Sequence, residues 1–483
     1  MRFDSVEFWA FFAVVLVLHR LLPFRRGLLV LASYFFYASW NPPFLVLLLF
    51  SSALDYVVGL RLGALPLPVP GPDGVTLPVL TDSERRSLVR KRRALLAVSC
   101  VGNLGLLAYF KYINFFVDNL VAVRVLPESL ASGLRVDVAL PLGISFYTFQ
   151  TLSYAIDVYR GNTKPVRSIG DFLLFVAFFP QLIAGPILRA VDFVPQIWRA
   201  RFPDQRKVLE GVELCLVGLF QKVVIADSFA NVVDRVFAEP EHFSGSALLV
   251  ASFCFNCQIF CDFSGYSLMA CGLAKLLDYE LPKNFDYPLL ATNPIEYRRG
   301  WHITMGTWFR DYFYQPLGGD RRGEWITARN SMLTWMAFGL WHGASWTFVL
   351  WGALNGALLV VYRFLKHRGL LFKKGAFSTV FGLASMALFL SLSTIAFRAD
   401  SVDSAFAMYR RIATWDDGPL SISPLWLVAL GVLYGVHWLN RRFHTEGALA
   451  RVGWPGRVAF ITLMVCVLTL GAGSGKPFYY FQF

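Results

Sequence analysis

The feature that most constrains this chain is the recurrence of apolar runs close to the length of a bilayer crossing. A crossing helix needs about 20 apolar residues. Candidate runs lie near 6–22, 28–40, 43–60, 94–118, 140–159, 209–230 and 246–276. Further runs lie near 331–362, 377–397, 424–440 and 457–472. Of 483 residues, 56% are apolar or aromatic and only 16% are charged, and Phe alone contributes 45. A soluble globule of this length leaves too much surface in contact with water to hide that content. The pattern predicts an all-α polytopic integral membrane protein with roughly eleven spans. It excludes a cytosolic enzyme, a disordered regulator and a small secreted scaffold.

The net charge of +13 is a matter of topology rather than of nucleic-acid binding. The basic residues gather in short stretches between apolar runs, as cytoplasmic loops do. The strongest group is Arg85, Arg86, Arg90, Lys91, Arg92 and Arg93, within a polar segment, 61–93, read as a cytoplasmic basic loop. That segment opens with Pro66, Pro68, Pro70, Gly71, Pro72 and Gly74, and its last part, 82–93, has the composition of a basic surface helix. Other groups are Arg298, Arg299, Arg310, Arg321 and Arg322, then Lys366, Arg368, Lys373 and Lys374, then Arg441, Arg442, Arg451 and Arg457. The loop 398–423 carries four aspartates (Asp400, Asp403, Asp416, Asp417) and is placed outside. Counting spans places both chain ends outside.

Residues 6–18 are apolar, but basic residues follow rather than precede them and no small-residue cleavage site appears, so they read as a retained first span. The seven cysteines lie in apolar runs, where a free thiol behaves as a small hydrophobe. Cys254, Cys257 and Cys261 share a helix face by spacing, but no histidine or second cysteine pair lies close enough in sequence to complete a metal site. No tandem repeat or soluble domain is visible, so 1–483 reads as one transmembrane domain. Between 169 and 190, and again over 285–322, apolar sequence is broken by Pro, Gly, Asn or Arg. Broken backbone at membrane depth persists only where protein or a watery cavity covers it. These two segments are read as re-entrant or half-buried, and the second as the catalytic one.

Ionisable groups at membrane depth are costly, so each is a site hypothesis. His342 stands in Gly339-Leu340-Trp341-His342-Gly343-Ala344-Ser345-Trp346, with apolar sequence on both sides. Its ordinary explanation is a core histidine bonded to a backbone carbonyl. Two features favour more: Gly339 and Gly343 leave room beside the ring, and Trp341, Trp346 and Trp351 would wall it. A neutral imidazole so placed can take a proton from an acceptor as it attacks an acyl thioester. His302, in Arg298-Arg299-Gly300-Trp301-His302-Ile303-Thr304, is equally well read as a structural residue at a helix start. Arg298, Arg299 and Arg310 suit the phosphates of an anionic carrier such as coenzyme A, although topology accounts for at least part of them. Asp262 would orient a histidine, line a path or cap a broken helix. His19, His242, His367, His437 and His444 lie at span ends or in loops.

Taken together, these motifs resemble the membrane-bound O-acyltransferase (MBOAT) family, in its bacterial branch with the alginate O-acetylases. The matching blocks run in order along nearly the whole chain. They are Leu31-Ala32-Ser33-Tyr34-Phe35-Phe36-Tyr37 with Trp40-Asn41-Pro42, Pro141-Leu142-Gly143-Ile144-Ser145-Phe146, and Phe179-Pro180-Gln181-Leu182-Ile183-Ala184-Gly185-Pro186. Then follow Asp262-Phe263-Ser264-Gly265-Tyr266-Ser267, Trp301-His302-Ile303-Thr304, Asp311-Tyr312-Phe313-Tyr314-Gln315-Pro316-Leu317-Gly318-Gly319, Gly339-Leu340-Trp341-His342-Gly343-Ala344 and the terminal Tyr480-Phe481-Gln482-Phe483. The resemblance implies a helical bundle around a buried channel, with re-entrant elements. It implies that His342 is the central catalytic histidine and His302 the second, across the channel. Trp301 and Trp341 join the three arginines as donor-binding candidates. It further implies acetyl-coenzyme A or another short acyl thioester as substrate, no bound cofactor, and a bacterial inner-membrane location amid lipid. An extracytoplasmic partner protein would complete transfer to an exported or cell-wall polysaccharide. Three positions depart from the branch: Gly300 replaces an arginine, Leu268 stands where an aspartate is common, and Gln315 takes a place more often apolar.

A different class, a transporter or flippase without covalent chemistry, would show internal repeats and broken helices near the midplane. No repeat is visible, and the intramembrane ionisable set is dominated by two histidines in Trp-rich surroundings.

Overall fold

The computed structural model describes residues 1–67, 81–137, 140–373, 375–418, 423, 425–443, 447–470 and 478–479. Pro68, Pro70, Gly71, Pro72, Gly74, Lys374, His444 and the terminal block 480–483 lie outside the described residues. The protein is helical throughout them, and it divides into two compact units. The first comprises Met1–Val208 and Leu273–Pro282, and the second Leu209–Gly272 and Lys283–Phe483.

The first unit holds α1 (Val6–Leu21), α2 (Arg25–Ala38), α3 (Leu45–Ala64), α4 (Asp82–Leu107), α5 (Ile113–Ala122), α6 (Glu128–Leu134), α7 (Ile144–Arg160), α8 (Ile169–Ala177) and α9 (Ala190–Arg199). The start of α4 follows from its sequence. The Thr81 side chain accepts from the Glu84 backbone N–H, and the Glu84 carboxylate accepts from the Thr81 N–H at 2.8 Å. This capping box satisfies donors that a helix end otherwise leaves unpaired. The basic residues 85–93 are therefore helical, in the opening turns of a helix that continues through a π-helical turn into α5.

One member of that basic group is not a surface charge. Arg92 is 1% exposed. Its guanidinium donates to the carbonyls of Leu62 (2.8 Å) and Leu65 (2.9 Å) at the end of α3, and of Val158 (3.1 Å) and Tyr159 (2.8 Å) at the end of α7. The last carbonyls of a helix lack intrahelical donors and carry its negative dipole end, so a fixed cation between two such ends satisfies both. Deeper between the same three helices, the Asp55 carboxylate accepts from Ser99 Oγ (2.6 Å) and Asn103 Nδ2 (2.8 Å), and Ser51 Oγ donates to Asn103 Oδ1 (2.6 Å).

The broken stretch after α8 is buried from Phe178 to Leu188. Its polar groups are satisfied internally: Phe179 N–H donates to Ser33 Oγ (3.2 Å), and Gln181 Nε2 donates to Gln150 Oε1 (3.1 Å). Irregular backbone is tolerated in such a place because protein covers it.

The second unit contains most of α10 (Gln205–Leu219), then α11 (Asp227–Ala238), and most of α12 (Gly245–Leu276). After these come α13 (Pro294–Gly300), α14 (Ile303–Phe309), α15 (Glu324–His342), α16 (Trp346–His367), α17 (Ala376–Arg398), α18 (Val402–Thr414), α19 (Leu425–Phe443), α20 (Ala448–Arg451) and α21 (Trp454–Leu470). Here fewer helices than the expected spans are long and apolar enough to cross a membrane. Among the described residues, five helices are long and apolar enough to cross a membrane by length and composition. They are Pro42–Ala64, Asp82–Ala122, Gly245–Leu276, Trp346–His367 and Ala376–Arg398. The difference from roughly eleven has local causes. The run 331–362 still supplies one of the five, Trp346–His367, and α15 before it is a separate helix, because Ser345 caps α16 by accepting from the Thr347 N–H at 3.2 Å. The run 209–230 is interrupted by a π-helical segment, Phe220–Ala226. The first two helices have 16 and 14 residues.

Arg92→Lys removes the planar fork that serves two helix ends at once. We expect it to lower stability by about 2 kcal/mol or more, read as a lower thermal midpoint of the purified protein in detergent. Arg90→Lys, at an exposed position on the same helix, should leave the midpoint unchanged.

Candidate active site

The segment 283–309 in the second unit is built around a backbone strap. Asp286 N–H donates to Gly300 O and Ile303 N–H donates to Asn284 O, both at 2.8 Å. Gly300 is required by this closeness: a Cβ there would stand 2.6 Å from the Asp286 carbonyl oxygen. A residue with a side chain does not fit this backbone.

His302 follows two residues later, as the cap residue of α14, with φ +42° and no measurable exposure. Left-handed backbone at a non-glycine residue costs free energy and persists where the surroundings hold it. Its Nδ1 lies 2.9 Å from Asn284 Oδ1. The Phe263 ring meets it edge-on, with centroids 4.6 Å apart. Asn284 is itself tied to α12 through Ser267 Oγ at 3.1 Å.

His342 is the last residue of α15 and is 2% exposed. Aromatic rings surround it: Phe338 at 4.9 Å, Trp341 at 5.0 Å, Phe397 at 5.1 Å and Trp351 at 5.3 Å between centroids. Trp341 also reaches His302, with centroids 6.1 Å apart. The two histidines thus share one aromatic neighbour inside the second unit. Trp346, also expected in this wall, is 55% exposed.

The two glycines beside His342 do not leave open space. A Cβ at Gly339 would collide with the Phe348 carbonyl oxygen, and one at Gly343 with the Phe348 ring. Gly352 meets the Trp335 carbonyl oxygen in the same way. These glycines let α15 and α16 approach closely, as small residues do between membrane helices.

A cavity of about 170 Å³ lies next to the histidines. Arg298, Arg310 and Arg363 line it, with Trp301, Trp335 and Phe338 among its aromatic walls. Phe338 stacks on Trp341 and touches His342, so an aromatic ring that lines the cavity also lies against the His342 ring. Arg310 pairs with Asp311 at 2.7 Å, and Arg363 donates to Ser331 Oγ at 3.0 Å. The other charges acting on Arg298 are chiefly cationic: Arg363, Arg299 and Arg310. Guanidinium stays protonated, so such crowding favours an anionic ligand. Gln315 also lines the cavity, whereas Arg299 is exposed and outside it, and Trp341 belongs to the histidine wall.

Asp262 bonds to neither histidine. Its carboxylate receives the Lys222 ammonium at 2.9 Å and the Tyr479 backbone N–H at 2.7 Å, and Lys222 also meets Asp227 at 2.8 Å. The pair ties the π-helical segment to α12 and to residue 479. Tyr479 packs on Phe255 at 5.2 Å. Cys254, Cys257 and Cys261 are buried, and among the described residues no group of three or more His, Cys, Asp or Glu side chains is placed to hold a metal ion.

Sequence reasoning missed Asn284, Lys222 and Arg363. Asn284 and Lys222 gave no motif of their own, and Arg363 sits at the end of an apolar run, where topology explains an arginine.

A multi-helix membrane protein whose second unit buries two histidines beside an arginine-lined cavity has the makings of an acyl-transfer site. The profile of the membrane-bound O-acyltransferases matches residues 166–371. A probable alginate O-acetylase of Azotobacter vinelandii is 36% identical, over 99% of both chains. The corresponding Pseudomonas putida protein is 37% identical over 95% of both. A peptidoglycan O-acetyltransferase of Helicobacter pylori is 34% identical over 80% of this chain and 73% of its own. The chain belongs to the membrane-bound O-acyltransferase family, and it is a multi-pass membrane O-acyltransferase.

Gly339→Ala should break the close approach of α15 and α16, lowering the thermal midpoint by the equivalent of about 1–3 kcal/mol. Gly431→Ala, where a Cβ meets nothing within 4 Å, should be neutral in the same assay.

Proposed function

We propose that the protein moves an acetyl or other short acyl group from a cytoplasmic acyl thioester, acetyl-coenzyme A, to hydroxyls of an exported or cell-wall polysaccharide. His342 acts as general base. It takes the acceptor's proton as the hydroxyl oxygen attacks the thioester carbonyl; the C–O bond forms, the C–S bond breaks, and the thiol leaves with a proton returned from the imidazolium. His302, which meets the same Trp341 ring, assists. Arg298, Arg310 and Arg363 hold the carrier's phosphates, and Trp301 its organic part. The acceptor is reached directly or through an extracytoplasmic partner protein. The observation that carries this reading is the pair of buried histidines on one tryptophan, next to a cavity lined by three arginines. The polysaccharide class is supported by the relatives, whose names give alginate and peptidoglycan as their substrates.

The whole chain, 1–483, serves in this reading as one catalytic domain in the bacterial inner membrane. The relatives' match over 99% of it supports that extent. Shorter apolar helices such as Trp454–Thr469 would complete roughly eleven crossings, with 285–322 re-entrant and catalytic.

The test uses purified protein in liposomes with acetyl-labelled coenzyme A and cell-envelope polysaccharide. Wild type should consume the thioester and transfer label. His342→Ala should lose transfer by about a hundredfold or more, and His302→Ala by a smaller factor. Consumption that survives unchanged in His342→Ala would remove the histidine mechanism. A wild type inert toward every short acyl thioester, with envelope extract supplied, would overturn the donor assignment.

A further inference from the structure

We propose that Asn284 is a positioning residue that fixes the imidazole of His302 as the Nδ1–H tautomer, leaving Nε2 as its basic nitrogen. The proposal rests on the reading of His302 as a participant in acyl transfer.

The argument begins with the amide. Asn284 is 2% exposed, and its Oδ1 faces three groups: His302 Nδ1 at 2.9 Å, Thr304 Oγ1 at 3.0 Å and Thr304 N at 3.4 Å. A backbone N–H can only donate, so the amide atom turned toward Thr304 is the oxygen. The opposite face agrees, with Nδ2 donating to Ser267 Oγ at 3.1 Å. Rotating the amide by 180° would set its NH2 against the Thr304 N–H and lose that bond. Since Oδ1 is an acceptor only, the hydrogen between it and His302 belongs to Nδ1. A neutral imidazole carries one ring hydrogen, so Nε2 holds the lone pair.

The choice of an amide also matters. A carboxylate in this place would stabilise the imidazolium, whereas a neutral carbonyl orients the ring without adding charge. The ring is held in direction as well as tautomer. The strap bonds Ile303 N–H to Asn284 O and Asp286 N–H to Gly300 O clamp the backbone on both sides of the left-handed residue 302. Phe263 fixes the ring plane edge-on. The Asn284–Ser267 bond anchors the assembly to α12. The same side chain therefore sets where His302 sits and which of its nitrogens can take a proton.

The test uses the full chain in lipid nanodiscs with 15N-labelled histidine. The His302 ring signals are assigned by their absence in His302→Gln. Wild type should show a protonated Nδ1 and an unprotonated Nε2 near neutral pH. Asn284→Leu, which removes the acceptor, should populate the other tautomer and slow acyl transfer about tenfold or more, with the donor KM within about twofold of wild type. Asn284→Asp keeps the acceptor and the volume, so it reads the same claim if the leucine variant does not fold. It should retain Nδ1–H and move the acidic limb of the pH–rate profile upward by about one unit. An Nε2–H tautomer in wild type, or an Asn284→Leu protein that keeps Nδ1–H, overturns the proposal. So does an Asn284→Asp profile identical to wild type. A leucine variant with the altered tautomer and undiminished transfer supports the role of Asn284, and overturns instead the participation of His302.

Discussion

Every polar group that this chain carries into apolar surroundings has to find its partner within the protein, and the structure is organised by that requirement. Lipid offers no hydrogen bonds, and an unsatisfied polar group there costs several kcal/mol. Helices meet the demand for their own backbone but leave their ends open. Arg92 closes two such ends together. Asp55 is met by Ser99 and Asn103 from a neighbouring helix. Asp262 is met by Lys222 and by the backbone of Tyr479. His302 is met by Asn284. All but the last of these pairings join elements far apart in sequence, so the cost of an unpaired group is converted into a specification of which elements meet.

Close packing supplies the second constraint. Gly339 and Gly352 bring α15 and α16 into backbone contact, and Gly343, just past His342 at the end of α15, packs on the Phe348 ring. The aromatic rings then fill what the backbone leaves. Trp341 touches both histidines, and Phe338 touches both His342 and Trp341 while lining the arginine cavity. In the proposed reading, anion binding and proton transfer fall to adjacent but separate groups. The arginines can attract a polyanionic carrier by charge, while the imidazoles remain in an apolar ring cluster suited to neutral bases.

Much of this was legible in the sequence where hydropathy or a dense motif carried it. The all-helical membrane class follows from apolar runs alone. The broken character of 285–320 was visible because Pro, Asn and Arg interrupt it, and the His302 and His342 blocks stood out against apolar flanks. The span count was not legible in the same way. Hydropathy sees no break at Gly343-Ala344-Ser345, because the cap at Ser345 is a local hydrogen bond within apolar sequence. Nor does it register the π-helical turn around Lys222. The glycines beside His342 suggest open space, whereas Phe348, from the following helix, occupies it. Asp262 was visible as a costly group in need of a partner, but which residue meets it was not, because Lys222 is 40 positions away on another element. Asn284 and Arg363 acquire meaning only through neighbours that the fold supplies.

The central claim is that donor binding and proton transfer belong to two adjacent groups of residues. Its most direct test is equilibrium binding of a non-hydrolysable acetyl-coenzyme A analogue to the purified protein, independent of turnover. The account predicts that His342→Ala binds the analogue as wild type does, while Arg298→Ala and Arg363→Ala weaken it about tenfold or more, as expected for lost charge-assisted hydrogen bonds. Undiminished binding in both arginine variants would contradict it, as would loss of binding in the histidine variant.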